Sequence, residues 1–303
     1  MSPRRALVTG AGGFVGRALA SGLADLGWQV TGLDRAFDAT WHSDGVHRVV
    51  ADLDHEGIPP EVPEVDLVVH AAWVTTDAEA LGITAAEHVA LNLRPLLAVL
   101  EHGARTRPAA FAFLSSSGVF DPADATEGLT DAHRPTATSP YAAAKRAGEL
   151  LVPATLDPRT AVHVVRLGYL FGPGETARPS RLGVSLVAGW LAAAREGRPL
   201  AVRADDPARD WTFTPDLAPA LERLAAGPSA GRPIHLGSPH VVRDGALAAL
   251  VAAEVPGTER VSVPADGPVK PPMVPSDVPA LRGFRWTDPA AGLQALMAGG
   301  VAR

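Results

Sequence analysis

Short β-rich apolar runs alternate with longer stretches of helical spacing through the first half of the chain. Residues 4 to 10, RRALVTG, predict a strand that enters a glycine turn. Residues 14 to 27, FVGRALASGLADLG, place apolar side chains at helical spacing and stop at a glycine. Further strands are expected at residues 28 to 34 (WQVTGLD), 47 to 52 (HRVVAD) and 65 to 72 (VDLVVHAA). A long helix over 84 to 106 then leads to a strand at 109 to 117, a helix carrying Tyr141 and Lys145, and a strand at 161 to 168. The strand runs do not alternate apolar with polar, as expected of parallel strands covered on both faces. This βαβ rhythm predicts an α/β fold, a doubly wound parallel sheet of the Rossmann type.

After residue 168 the texture changes. Residues 172 to 183 read as loop, 184 to 197 as helix, 233 to 239 as one more strand, and 255 to 280, rich in Pro and Gly, as loop. The expected organisation is a cofactor domain over 1–167, its sheet completed by about 212–238. A small discontinuous C-terminal substrate lobe takes 168–211 and 239–303.

Gly10, Gly13 and Gly16 stand in the spacing G-x-x-G-x-x-G between a strand and a helix. Bare backbone there allows a tight turn and close approach of a diphosphate to free helix N–H groups. Asp34 closes the next strand, where a carboxylate can accept both adenosine ribose hydroxyls and repel a 2′-phosphate. That favours NAD over NADP, although Arg35 beside it could receive a 2′-phosphate.

Composition narrows the function. The net charge of -6 argues against nucleic acid or an acidic membrane as main partner. No apolar run is long enough to span a membrane, and the N-terminus reads as a glycine turn instead of a signal sequence. The absence of Cys excludes disulfides, thiolate catalysis and cysteine-held metal. The ten His show no metal-binding spacing, so no metal is expected. A cytoplasmic protein is the simplest reading.

Among 27 Lys and Arg only Lys145 and Lys270 are Lys, and only Tyr141 and Tyr169 are Tyr. Tyr141 and Lys145 sit one helical turn apart and share a face. A phenol is too weakly acidic to serve as a base near neutral pH. A nearby ammonium favours the phenolate, so this pairing suits proton transfer at a hydroxyl.

The motifs TGAGGFVG, LD (33–34), ADL (51–53), HAA (70–72), LN (91–92), LSSSGVF (114–120), SPYAAAK (139–145), VRLGYLFGPG (165–174) and RDWTFTPDLAPAL (209–221) follow one another in a known order. From Thr9 to about Ser238 the chain resembles an extended short-chain dehydrogenase/reductase of the NAD-dependent epimerase/dehydratase type. The resemblance implies cofactor contacts from Gly10, Gly13, Phe14, Val15, Gly16, Asp34, Arg35, Asp52, Leu53, Ala71, Ala72, Asn92, Tyr141, Lys145 and Leu167. Asp52 and Leu53 are expected to end the third strand, Ala71 and Ala72 the fourth. Asn92 is expected near the cofactor, or as an N-cap or buried amide.

The same resemblance implies Ser116 as the catalytic hydroxyl, with Ser117 the neighbouring candidate and Ser115 structural, and has Lys145 hold the nicotinamide ribose. Dehydratases of this kind carry an acidic pair after that hydroxyl; here Ser117 and Gly118 stand there. Tyr169 occupies the place of an asparagine that many nucleotide-sugar enzymes use, which puts such a substrate in doubt. Arg178, Arg181, Arg203 and Arg209 are candidates for an anionic group, or solvated surface; Arg209 and Arg178 are preferred. Trp73 and Thr75 are expected at the pocket floor, with Trp73 alternatively in the core. The implied function is NAD-dependent redox chemistry at a secondary hydroxyl of a sugar-like substrate. Net dehydrogenation and epimerisation stay open beside a non-catalytic dinucleotide sensor. Dimerisation through 84–106 and 140–152 is implied as well.

Overall fold

The computed structural model describes residues 3–299. The first half runs β1 (Arg5–Thr9), α1 (Phe14–Asp25), β2 (Gln29–Asp34), β3 (Val46–Val50), β4 (Leu67–His70), α2 (Ala78–Leu81), α3 (Ala85–Thr106), β5 (Ala110–Ser116), α4 (Pro140–Thr155) and β6 (Ala161–Leu167). The second half runs β7 (Tyr169–Phe171), α5 (Leu186–Arg195), β8 (Leu200–Arg203), β9 (Ala208–Phe213), α6 (Leu217–Ala225), β10 (Ile234–His235), β11 (Val241–Arg243), α7 (Asp244–Glu254), β12 (Arg260–Val263) and α8 (Pro289–Gly299).

Seven strands form one parallel sheet in the order β10-β6-β5-β4-β1-β2-β3. The expected doubly wound sheet is therefore present. Successive strand residues feed opposite faces. On β1, Ala6 and Val8 join Leu19, Leu23, Leu217 and Leu221 under α1 and α6. Leu7 joins Leu96, Val99, Phe113 and Val152 under α3 and α4. Both faces are covered, which is why the strand sequences read as unbroken apolar runs. The chain leaves β1 toward β2 and β3, then returns to β4 on the other side. That reversal opens a crevice at the carboxyl ends of β1 and β4.

Local signals fix the helices that border the crevice. Thr84 caps α3 in a reciprocal pair with Glu87. Ser139 accepts the Ala142 N–H at the start of α4, with Pro140 in the first turn.

The structure differs from the sequence expectation in several places. The third strand ends at Val50 and the fourth at His70, so Asp52, Leu53, Ala71 and Ala72 lie in the loops just beyond. The stretch 255 to 280 is not all loop, because β12 pairs in parallel with β8. Pro and Gly content marks irregular chain but carries no sign of a ladder made with a strand far upstream. The remaining second-half core brings Phe171, Trp190, Trp211, Leu247, Val251 and Leu293 together. Among the described residues no helix is long and apolar enough to cross a membrane.

Candidate active site

The glycine turn fits a dinucleotide by exclusion of side chains. Gly10 has φ +71°, and a Cβ there would lie 2.5 Å from the Ala72 nitrogen. A Cβ on Gly16 would lie 2.0 Å from the Gly10 carbonyl oxygen. Gly13 donates to that oxygen at 2.9 Å and precedes α1 without a side-chain cap, which leaves the helix start open to an anion. Asp34, at the end of β2, accepts from Gly12 N at 2.9 Å. Gly10, Gly13, Asp34, Arg35, Asp52, Leu53, Ala71, Ala72, Trp73 and Asn92 line this half of the crevice. An open helix start, a bare-backbone cradle and a carboxylate at the next strand end are the donor set that a dinucleotide needs.

Asn92 resolves as a buried amide. Its Oδ1 accepts from Val74 N at 2.7 Å, and its Nδ2 donates to the Val74 and His88 carbonyls at 3.2 Å each. It thereby shapes the 73–76 loop that borders the cofactor half. The same loop is tied across the crevice to residues 179–182. Thr75 N donates to Ser180 O at 2.8 Å, Thr76 Oγ1 donates to Pro179 O at 2.8 Å, and Leu182 N donates to Thr76 Oγ1 at 3.0 Å.

The second half of the crevice, about 670 Å³, continues from the glycine turn past Phe14, Val15, Gly16 and Leu167 to Ser116, Tyr141 and Lys145. Ser116 ends β5 and lines the crevice; Ser117 does not, and its carbonyl accepts from Lys270 Nζ at 2.8 Å. Ser115 donates to the buried Glu149 at 2.6 Å, so it is structural as expected. Ser115 and Ser116 both line the crevice, and of the two Ser115 is bound to a buried carboxylate while the Ser116 hydroxyl lies beside the Tyr141 phenol.

Tyr141 and Lys145 face the crevice from α4. Burial raises the phenol above its ordinary value, opposed by the Ser116 hydroxyl and by the positive charge of Arg181. Lys145 Nζ donates to Leu114 O at 2.6 Å and lies 3.8 Å from the Trp73 ring centre. Burial drives its ammonium well below the ordinary value, against the pull of Glu149. Lys145 Nζ lies 5.9 Å from the Tyr141 ring centre, and Arg181 adds a second positive charge toward the phenol. Trp73 borders both halves of the crevice as well as packing on Phe113. Below it, burial and the Lys145 charge hold His70 near pKa 3, so it stays neutral.

Tyr169, Thr75, Arg178, Arg181, Arg203 and Arg209 all reach the second half. Arg209 is buried, stacks 4.4 Å from the Tyr169 ring, and donates from Nε to both Asp244 oxygens at 2.9 Å. Arg178 reaches the glycine turn: its Nη1 would lie 3.2 Å from a Cβ on Gly12.

Sequence reasoning missed Glu149 and Asp244. Glu149 ties Ser115 to Arg166 and stands one helical turn after Lys145, a spacing that was readable. Asp244 lies 35 residues from Arg209 and had no local signal. Among the described residues no cluster could hold a metal ion.

Residues 6–237 match the NAD dependent epimerase/dehydratase family. A curated relative, 2-alkyl-3-oxoalkanoate reductase of Stenotrophomonas maltophilia, is 29% identical over 236 residues, 73% of this chain and 66% of its own. Among solved structures, an epimerase from Methanothermobacter thermautotrophicus superposes with TM-score 0.82 at 23% identity, covering 98% of this chain and 91% of its own. UDP-glucose 4-epimerase from Thermotoga maritima superposes with TM-score 0.81 at 18% identity, covering 97% of each. The sheet order, the glycine cradle and the extent of these matches make this chain a member of the NAD dependent epimerase/dehydratase family, and an enzyme of the short-chain dehydrogenase/reductase type.

Proposed function

We propose that the chain is an NAD-dependent oxidoreductase that interconverts a secondary alcohol and its ketone. The observation that carries this reading is the convergence of Ser116, Tyr141 and Lys145 on the crevice that opens from the glycine turn. NAD, when bound, supplies the hydride acceptor, and NADH the donor. Gly10, Gly13 and Gly16 leave room for the diphosphate, and Asp34 takes the adenosine ribose. Ser116 donates to the substrate oxygen. Tyr141 Oη takes the hydroxyl proton during oxidation and returns it to the carbonyl oxygen during reduction. In this reading Lys145, buried beneath Trp73, holds the nicotinamide ribose. The residues over 1–167, with 212–238, form the cofactor domain, and the remainder forms the substrate lobe.

Tyr141→Phe tests this reading. Turnover should fall by about a thousandfold or more while NADH affinity changes little. Undiminished activity would remove Tyr141 from the chemistry, and a chain that binds NADH but never turns over would favour the sensor.

Sugar-nucleotide epimerisation is the second reading, suggested by the solved relatives named as epimerases. It differs in releasing no reduced cofactor, so the net change in NADH absorbance separates the two. A homodimer through α3 and α4 accords with the exposed Leu97 and Leu150 on those helices.

A further inference from the structure

Phosphate recognition needs unsatisfied positive charge or free N–H groups at the place where the anion sits. The substrate half of the crevice holds several such places, and the protein's own carboxylates fill them. Arg209 is engaged by the buried Asp244 at 2.9 Å. Arg181 is engaged by Glu175 at 2.6 Å. Arg203 is engaged by Asp205 at 2.9 Å and by Asp266. The start of α5 is also taken: Ser185 Oγ caps it by accepting from Ala188 N at 3.2 Å, and Glu175 accepts from Ser185 N at 2.8 Å and from Ser185 Oγ at 2.5 Å.

Arg178 is the contrast. Among the described residues it has no acidic partner, and it lies over the glycine turn, where the cofactor's own diphosphate belongs. Arg17, on the first turn of α1, lacks hydrogen-bond partners for its buried Nε and Nη2 among the described residues, but its guanidinium stands 3.8 Å from the Asp38 carboxylate and is matched in charge. The unpaired guanidinium, Arg178, thus stands at the cofactor end, and carboxylate-matched pairs line the substrate end. A substrate phosphate would have to displace a carboxylate such as Asp244 and leave it buried without its guanidinium, which is unfavourable.

Beside the paired arginines and the polar Thr75, Tyr169, Thr176 and Ser180, the substrate half presents apolar side chains. Trp190 and Trp211 form walls, and Val184, Leu186 and Val263 border the pocket. Val184 and Leu186 are 39% and 40% exposed, so a ligand seated there removes apolar surface from water.

We propose that the substrate is an uncharged ketone or secondary alcohol with an apolar body, carrying no phosphate or nucleotide. This rests on the oxidoreductase reading and narrows its substrate class.

The test uses the full chain saturated with NADH, so that the cofactor site is closed to competing diphosphates. UDP, UDP-glucose and inorganic pyrophosphate are titrated by calorimetry, and neutral ketones (ethyl acetoacetate, 2-heptanone, acetophenone) are followed by NADH absorbance. The expected result is turnover of at least one ketone and no binding of the three anions tighter than about 1 mM. Asp244→Asn and Glu175→Gln, which each release a guanidinium, should improve UDP affinity by about tenfold or more. Should either variant fail to fold, the wild-type titration decides alone. Binding or turnover of UDP-glucose by the wild type overturns the proposal, as does failure of every neutral ketone while NADH still binds. Either result leaves the oxidoreductase reading to its own test, since full activity of Tyr141→Phe, a failure to bind NADH, or the absence of turnover with any alcohol or ketone, sugars included, is what removes that.

Discussion

In the proposed reaction, two opposing influences at Tyr141 set the pH range. Burial favours the neutral phenol, while the Ser116 hydroxyl and the Arg181 charge favour the phenolate. Oxidation needs the phenolate, so its kcat/KM should rise with pH through the phenol's pKa. Reduction needs the phenol and should fall over the same interval. Replacing Arg181 by Gln removes a stabilising cation, and both limbs should move up by about 0.5 to 1 pH unit. Profiles unchanged between the two proteins would show that Arg181 does not act on the phenol. The glycine cradle gives a sharper test. In Gly16→Ala the new Cβ meets the Gly10 carbonyl at 2.0 Å, so NADH affinity should drop by about a hundredfold or more in a fluorescence titration. Glycine spacing, Asp34 and the Tyr141–Lys145 step were legible in the sequence because each is a local pattern. Among the three adjacent serines the family resemblance pointed to Ser116, but the partners of its neighbours, Glu149 for Ser115 and Lys270 for the Ser117 carbonyl, come from remote positions and carried no local signal.

At the scale of elements, the 73–76 loop and residues 179–182 act as one clamp across the crevice. Thr76 contributes its hydroxyl as donor to Pro179 O and as acceptor for Leu182 N. Thr76→Val keeps the shape but loses both bonds, at a cost of about 1–2 kcal/mol. NADH affinity should weaken several-fold with a small loss of thermal stability. A large fall in melting temperature with unchanged NADH affinity would place the clamp in the fold instead of the site. The first-half helices and strands were readable because caps and periodicity are written within each segment. The pairing of β8 with β12 was not, because each strand is four residues long and its partner is remote. Pro and Gly around β12 masked it further.

At the scale of the whole molecule, Asp210 couples stability to pH. It is buried between Gly168 and Met273, its Oδ2 lacks a hydrogen-bond partner among the described residues, and burial raises its pKa to about 7. The native state therefore holds a proton that the unfolded chain releases between its ordinary value of 3.8 and about 7. Asp210 favours the native state below that window, and the advantage is lost as pH rises through it. Asp210→Asn should gain on the wild type as pH rises from 4 to 7 and hold that gain above, by at most about 4 kcal/mol. Melting temperatures of both proteins across this range check it; parallel curves would mean that Asp210 does not titrate in the native state. The proposed dimer belongs to this scale too. Leu150 on α4 is 75% exposed, and Leu150→Asp should yield a monomer by light scattering with NADH binding retained.

The sequence by itself determined the parallel sheet, the glycine cradle and the one-turn spacing of Tyr141 and Lys145, since apolar periodicity, glycine spacing and helical steps are properties of neighbouring residues. Only the tertiary structure brought the Arg181 charge toward Tyr141 and decided which arginines of the substrate pocket are paired with carboxylates. Those outcomes depend on carboxylates such as Asp244, brought from another element to a guanidinium it meets only when the chain is packed. Charge compensation acts through space over a few ångströms in a medium that screens poorly, and sequence separation carries no record of it.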